Sequence, residues 1–258
     1  MTRRMFAALV TAVAAFALTA CGSAGDANAL RVGTLSDSKP NAYQENGKFT
    51  GFDNELLKAI AEKQGLTLEF VATDFSALLG QVANGTFDIG SSAISQTDER
   101  KKTVAFSDPY NFQALGIAAP EGSAITGQDT LSGKRIGVVQ GTVSDTWLSD
   151  TAPDALPVRF PNDAAALSAL KTAAVDGAVF DLATANVYAE QNPGLAVVES
   201  IATDLPHGYA FRKGNTELRD KINAGLQQVV DDGTWQQLHT RFEPDAPTPP
   251  EFAAPGKS

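Results

Sequence analysis

The chain has 258 residues, 43% of them apolar, and a formal net charge of −10 at pH 7. That is the composition of an ordinary globular protein, with enough apolar material for one large or two medium domains. So acidic a chain disfavours nucleic acid or an anionic membrane surface as its partner. Cys21 is the only cysteine, which excludes an intrachain disulfide and a cysteine-based metal site.

The N-terminus has the pattern of a secretory signal peptide, which we assign to residues 1–20. Arg3 and Arg4 supply the positive charge that begins such a peptide, and residues 5–18 supply its apolar stretch. That stretch is too short to span a membrane, and it ends in small residues. We therefore expect the protein to be exported and this segment to be removed.

Cys21 closes the run Leu18-Thr19-Ala20-Cys21, which resembles the bacterial lipobox. In that motif the peptide is cut just before the cysteine, whose thiol is acylated. The resemblance implies that Cys21 is the lipidated N-terminus of the mature protein and that the lipid is its sole attachment to the cell membrane. The next residues are small and polar, so residues 21–29 are expected to form a lipidated, flexible tether.

Short β-branched runs alternate with amphipathic helical patterns over the middle of the chain, which predicts an α/β fold with mainly parallel sheets. The predicted strands are Leu30 to Thr34, Leu68 to Val71, Asp88 to Ser91, Arg135 to Val139, Val158 to Phe160, Ala178 to Phe180, Ala196 to Glu199 and His207 to Phe211. The predicted helices are Asn54 to Gln64, Phe75 to Val82, Ser144 to Leu148, Ala164 to Thr172, Leu182 to Gln191, Leu218 to Val229 and Trp235 to Phe242. Two βαβ sets of similar plan indicate two α/β lobes.

The last fifteen or so residues, 244–258, form a proline-rich segment with almost no core-forming side chains. Such a composition cannot bury enough apolar surface to offset the entropy of ordering the chain. We therefore expect a disordered or polyproline-like tail.

Enzyme motifs are absent from the sequence. It has no Gly-x-Ser-x-Gly elbow, no Walker loop and no Gly-x-Gly-x-x-Gly after a strand. His207 and His239 are the only histidines and lack metal-ligand spacing, so each is interpreted as a packed or surface residue. We expect no catalytic residue, no metal and no cofactor.

Several motifs in a fixed order resemble those of the family 3 extracellular solute-binding proteins, the polar amino-acid receptors of bacterial ABC transporters. They are Gly51-Phe52-Asp53-Asn54-Glu55-Leu56, Gly85-Thr86-Phe87-Asp88, Thr97-Asp98-Glu99-Arg100-Lys101-Lys102, Phe106-Ser107-Asp108-Pro109-Tyr110, Gly133-Lys134-Arg135-Ile136-Gly137-Val138 with Gly141-Thr142, and Arg212-Lys213-Gly214-Asn215. The resemblance implies a Venus-flytrap fold of two α/β lobes joined by two crossover segments. Lobe 1 would hold residues 30–117 and 208–243, and lobe 2 would hold residues 118–207.

The resemblance also implies a function. A monomeric receptor would capture a polar amino acid between its lobes and deliver this small-molecule ligand to an ABC transporter permease in the membrane. An alternative stays open, because cyclohexadienyl dehydratases resemble the same family and use its cleft for acid-assisted loss of water from prephenate or arogenate. That chemistry needs a carboxylic acid with a raised pKa over the substrate.

The two charged ends of an amino acid set the requirement for the site, because a closing cleft strips water from a carboxylate and an ammonium together. Arg100 matches the family's carboxylate-binding arginine, whose guanidinium can hold both oxygens. Asp181, after a predicted strand, matches the residue that pairs with the α-ammonium. Further ligand contacts implied by the resemblance are the polar segment Ser92, Ala93 and Ser95 and the helix-opening loop Thr142, Val143 and Ser144.

The side-chain subsite departs from the family pattern. Most relatives place an aromatic ring over the ligand from the loop after the first strand, but residues 36–41 contain none, and the next ring is Tyr43. Ser38 lies in this loop, and Phe75 aligns with the apolar wall on the other side. Because buried polar groups reject ligands that cannot pair with them, we expect a polar amino acid, such as glutamine, asparagine or a basic one.

Overall fold

A computed structural model describes residues 28–244, 246 and 248–252. The predicted signal peptide, Cys21 and most of the predicted tether lie outside the described residues. No helix in the described part of the chain is long and apolar enough to cross a membrane.

The described chain alternates strands and helices, as the sequence pattern predicts. The strands are β1 (Leu30–Thr34), β2 (Asp37–Ser38), β3 (Ala42–Glu45), β4 (Lys48–Thr50), β5 (Leu68–Ala72), β6 (Ile89–Ser91), β7 (Val104–Phe106), β8 (Asn111–Pro120), β9 (Arg135–Val139), β10 (Leu156–Phe160), β11 (Gly177–Asp181), β12 (Leu195–His207) and β13 (Ala210–Arg212). The helices are α1 (Phe52–Lys63), α2 (Phe75–Ala83), α3 (Asp98–Lys101), α4 (Val143–Thr151), α5 (Asp163–Lys171), α6 (Leu182–Gln191), α7 (Thr216–Asp231) and α8 (Thr234–Phe242).

Two five-stranded mixed sheets form the centres of the two lobes. The sheet of lobe 1 has the order β5-β1-β6-β13-β7, and the sheet of lobe 2 has the order β10-β9-β11-β8-β12. The strands joined by crossover helices run parallel, whereas β13 in one sheet and β8 in the other run antiparallel to their neighbours. The predicted α/β fold with two lobes is confirmed.

The chain crosses between the sheets twice, after β7 and again after β12. The predicted lobe boundary at 117–118 falls inside β8, whose residues pair only with lobe 2 strands, so the boundary belongs before Asn111. Sequence analysis missed β8 because its run of alanine and glycine has few of the β-branched side chains that favour strands. The predicted return at 207–208 lies between β12 and β13.

Helix α1 begins two residues earlier than predicted. Gly51 is its N-cap, with a positive φ of 107°, and a Cβ there would overlap the Asn41 carbonyl oxygen. Asn54 therefore lies inside the helix and is fully buried. Its side-chain oxygen accepts hydrogen bonds from the hydroxyls of Thr34 at 3.1 Å and Ser91 at 3.0 Å. These bonds fix α1 to the ends of β1 and β6, two neighbouring strands of lobe 1.

A second difference concerns the proline-rich tail, whose predicted disorder is wrong for the part that the structure describes. Residues Pro250–Phe252 form a 3₁₀ turn, and Phe252 is only 7% exposed. Its ring stacks on Trp235 of α8 with centroids 4.8 Å apart and lies 6.3 Å from the ring of Phe112 in β8. This turn is ordered by one aromatic side chain, which packs against the apolar surface formed by Trp235 and Phe112.

Removing the Phe252 ring should destabilise lobe 1. We expect Phe252→Ala to lower the free energy of unfolding by about 3 kcal/mol, since it leaves a cavity against Trp235. Chemical denaturation followed by tryptophan fluorescence measures the change. Leu156→Ala is the control, because that side chain is 54% exposed and its loss should cost less than about 0.5 kcal/mol. Equal unfolding free energies for Phe252→Ala and the wild type would contradict the packing described.

Candidate functional site

A narrow cavity with a volume of about 30 Å³ lies between the lobes. Every residue that sequence analysis assigned to the ligand lines it: Ser38, Phe75, Ser92, Ala93, Ser95, Arg100, Thr142, Val143, Ser144 and Asp181. The remaining lining residues, which sequence analysis missed, are Leu35, Gln113, Val139, Asp163, Val179 and Phe180. The structure brings the predicted set together, and contact with a ligand stays a prediction.

The topology of the sheets explains this convergence. Leu35 follows β1, Ser92 follows β6, Thr142 closely follows β9, and Asp181 ends β11. These strands are parallel within each lobe, so their carboxyl ends share one edge of each sheet, where open α/β sheets bind ligands. The two edges face each other across the cavity.

Arg100 is held in place by backbone carbonyls of both lobes. Its guanidinium donates to the Ser95 oxygen at 2.9 Å and, across the cleft, to the Gly141 oxygen at 3.1 Å. It also lies over the ring of Phe75, 5.0 Å from the centroid. Burial lowers the pKa of Arg100 to about 10, while the nearby Asp181 acts in the opposite direction. The group therefore remains cationic at neutral pH and presents a fixed positive charge to the cavity.

The segment after β6 places hydroxyl and amide groups on the cavity from lobe 1. Ala93 has a left-handed φ of 45°, and its backbone N–H donates to the buried carboxylate of Asp53. The hydroxyl of Ser92 is buried and has no hydrogen-bond partner. Because buried hydroxyls in proteins are nearly always paired, this orphan group marks a position where a polar ligand atom is expected.

Asp181 contributes a carboxylate from lobe 2. It occupies the N-cap position of α6 but makes no side-chain cap bond, and instead accepts a 2.6 Å hydrogen bond from the Gln113 side-chain amide. Burial raises the pKa of Asp181 to about 6, against the lowering effects of this hydrogen bond and of Arg100. The carboxylate is therefore ionised above pH 6 and has capacity for a further donor.

Gln113 connects the two lobes behind the cavity. Its side-chain oxygen accepts from the Ser95 hydroxyl at 2.8 Å and lies 2.9 Å from Nε2 of His207, while its nitrogen donates to Asp181. Burial lowers the pKa of His207 to about 3, so its ring is neutral and donates through Nε2. Of the two positions that sequence analysis left open for His207, packed or surface, the structure shows the packed one. Sequence analysis missed Gln113, because the strand that carries it was not predicted.

A second carboxylate, Asp163, faces the cavity at the start of α5 and was also missed. It lies beside Ser38, whose side chain hydrogen-bonds it. Burial raises the pKa of Asp163 to about 7. An acidic residue soon after the β10 strand, at the first position of α5, was the available signal, since the other ligand candidates of lobe 2 also follow or end strands. The histidines and carboxylates of the described residues form no cluster suited to a metal ion.

The loop after β1 supplies no aromatic ring to the cavity. Tyr43 lies instead on the outer cleft, with the Lys39 ammonium 4.8 Å from its ring centroid. The loop also contacts lobe 2 directly. The Asp37 carboxylate accepts from the Ala164 backbone N–H at 2.9 Å, and the Tyr188 hydroxyl donates to the Asp37 carbonyl oxygen at 3.2 Å. The structure therefore shows the lobes in contact around the cavity.

The chain belongs to the bacterial extracellular solute-binding proteins, family 3, whose sequence profile matches residues 30–244. The arginine-binding extracellular protein ArtP of Bacillus subtilis (strain 168) is 32% identical over 244 residues, which cover 91% of this chain and 95% of ArtP. The ABC transporter arginine-binding protein 1 of Escherichia coli (strain K12) is 30% identical over 204 residues, covering 77% and 84%.

Solved structures extend this similarity to the fold. An ancestral arginine-binding protein bound to arginine matches with a TM-score of 0.80 and 37% identity, over 84% of this chain and 98% of the ancestral protein. The predicted family and its two-lobe Venus-flytrap fold are confirmed.

Gln113 offers a test of the hydrogen-bond network behind the cavity. Gln113→Glu replaces the amide donor facing Asp181 with a second carboxylate, which raises the pKa of both carboxyl groups in the folded state. We expect the variant to lose about 2 kcal/mol of stability at pH 8 and to recover most of it at pH 5, because a raised folded-state pKa costs stability as pH rises through it.

Chemical denaturation of wild type and variant at the two pH values measures this difference. Gln227→Glu is the matched control, since Gln227 also donates to an aspartate, Asp231, at 2.8 Å but on an exposed helix surface. The two carboxylates of the Gln227→Glu control should lower the free energy of unfolding by less than about 0.5 kcal/mol at either pH. A Gln113→Glu penalty independent of pH would contradict the network.

Proposed function

We propose that this protein is the substrate-binding component of an ABC importer and that it captures a polar amino acid in the cavity between its lobes. The observation that carries the proposal is the pair of opposite charges on one cavity, Arg100 and Asp181. A zwitterion requires both, because each of its charges loses water when the lobes close. Relatives named as arginine-binding support an amino acid as the ligand.

The roles of the two groups follow from their surroundings. Arg100 is held by two carbonyl oxygens and stays charged, so its remaining donors can pair with the ligand carboxylate. Asp181 accepts one bond from Gln113 and can accept others from the ligand ammonium. Ser92 supplies an unpaired hydroxyl, and Thr142, Val143 and Ser144 open α4, whose first amides favour a carboxylate.

Loss of either charge should weaken binding of an amino acid. We expect Arg100→Gln and Asp181→Asn each to reduce affinity by about two to four decades, since one buried ligand charge is left unpaired. Calorimetry with the amino acid that native mass spectrometry finds on the purified protein measures the effect. Lys101→Ala is the control, because this neighbouring cation is 51% exposed and does not line the cavity.

Unchanged affinity in both folded variants would refute the assignment of these two groups. Incubation of the wild type with prephenate and arogenate tests the enzymatic alternative in the same preparation. We propose that the protein is no enzyme, and release of product from either compound would overturn this statement.

Delivery to a membrane permease is the remaining step. The two crossings between the sheets, at residues 107–110 and 208–209, are proposed as the hinge about which the lobes of a monomer close. The closed form then docks on the permease of an ABC transporter; one relative is named as an ABC transporter arginine-binding protein.

Cys21 is proposed as the lipid anchor of this exported receptor, on the basis of the Leu18-Thr19-Ala20-Cys21 run. Mass spectrometry of the membrane-extracted protein should find an acylated N-terminus at Cys21. Cys21→Ala should move the protein out of the membrane fraction, whereas Ser23→Ala, two residues further on, should not. A wild-type N-terminus at any other residue would contradict the anchor.

A further inference from the structure

We propose that Asp163 binds a positively charged ligand side chain, so that the transported solute is a basic amino acid such as arginine, lysine or ornithine. This inference rests on the proposed capture of an amino acid by Arg100 and Asp181. It adds the chemical class of the side chain and names Asp163 as the residue that selects it.

The charges on the cavity wall are unequal before a ligand arrives. Among the described lining residues, Arg100 carries the only positive charge, whereas Asp163 and Asp181 carry carboxylates. A bound zwitterion pairs its carboxylate with Arg100 and its ammonium with Asp181. Asp163 then remains without a counter-charge if the ligand side chain is neutral, and a carboxylate that a ligand encloses without pairing it is costly. A cationic side chain balances the charges of the filled cavity.

The fold does not use the Asp163 carboxylate to cap its helix. The first-turn amides of α5 are paired by other side chains: Asn162 accepts from Ala165 N–H at 3.0 Å, and Asp37 accepts from Ala164 N–H at 2.9 Å. No ion pair among the described residues includes Asp163. Its carboxylate is therefore available to the cavity.

The electrostatic surroundings of Asp163 favour a cation. Burial is the main cause of its raised pKa, and the charges of Asp181 and Asp37 raise it further, while the Ser38 hydrogen bond lowers it. Arg100, by contrast, acts on Asp181. A positive group placed beside Asp163 would lower the pKa of this carboxyl group, keep it ionised and gain a charge-assisted hydrogen bond.

Two further features of the cavity suit a basic amino acid. The buried Ser92 hydroxyl, 4% exposed and without a partner, shows independently that the cavity is built for a polar ligand. Leu35, Phe75 and Val139 supply apolar wall between the polar groups. Lysine, arginine and ornithine each have a methylene stem, which such a wall can cover, and a charged head group.

Comparing arginine with citrulline tests the effect of charge alone, because the two have nearly the same shape and differ in the charge of the terminal group. Calorimetry at pH 7.5, on protein freed of solute by unfolding and refolding, should give arginine at least about 30-fold higher affinity than citrulline. In Asp163→Asn this ratio should fall below about threefold, mostly through loss of arginine affinity. Asp154→Asn removes the same charge from an exposed site of lobe 2 and should preserve the wild-type ratio.

The wild-type comparison requires no variant, so the proposal is tested even if Asp163→Asn fails to fold. Equal or tighter binding of citrulline or glutamine would overturn the role of Asp163 and leave the amino-acid receptor standing. An arginine-to-citrulline affinity ratio that is unchanged in folded Asp163→Asn would also overturn the role of Asp163. If folded wild type binds neither of these nor any other amino acid, the proposed function itself fails.

Discussion

The half-buried guanidinium of Arg100 is the interaction on which the architecture of the site depends. A cation partly removed from water is stable only where acceptors are already in place, and here two carbonyl oxygens and an aromatic face surround it. One carbonyl belongs to Ser95 of lobe 1 and the other to Gly141 of lobe 2. The same group therefore supplies the positive pole of the cavity and contacts both walls of the cleft.

The negative charge on the cavity comes from carboxylates of lobe 2. Asp181 and Asp163 both stand at helix starts that follow lobe 2 strands, and neither carboxylate caps its own helix. In a usual N-cap the carboxylate would be consumed by backbone amides. Here Asn162 and Asp37 pair the first amides of α5, while Asp181 accepts a side-chain hydrogen bond from Gln113. Lobe 2 therefore faces the cavity with carboxylates that retain free acceptor capacity, opposite the cation of lobe 1.

Packing contacts outside the cavity hold the candidate ligand-binding residues in position. Asn54 ties helix α1 to two strand ends of lobe 1, and the adjacent Asp53 holds the Ala93 amide. Burial raises the pKa of Asp53 to about 8, so this link depends on a carboxyl group that the protein interior shifts strongly. Phe252 closes the aromatic cluster around Trp235 close to the crossings between the lobes. These contacts lie behind the ligand candidates and position them.

Hydrophobic periodicity and ordered motifs are local signals, and they predicted the α/β class, most strand and helix positions and the family. The residues assigned to the ligand from those motifs line one cavity. The remaining features depend on contacts between distant parts of the chain. Strand β8 has few β-branched residues and is stabilised by its neighbours in the sheet. The sequence pattern therefore predicted neither the strand nor the position of Gln113, which it carries. Phe252 was ordered by a distant patch. Asp163 became a candidate for ligand recognition only when folding placed it on the same cavity as Ser38 and Asp181, since charge balance in a cavity depends on residues far apart in the chain.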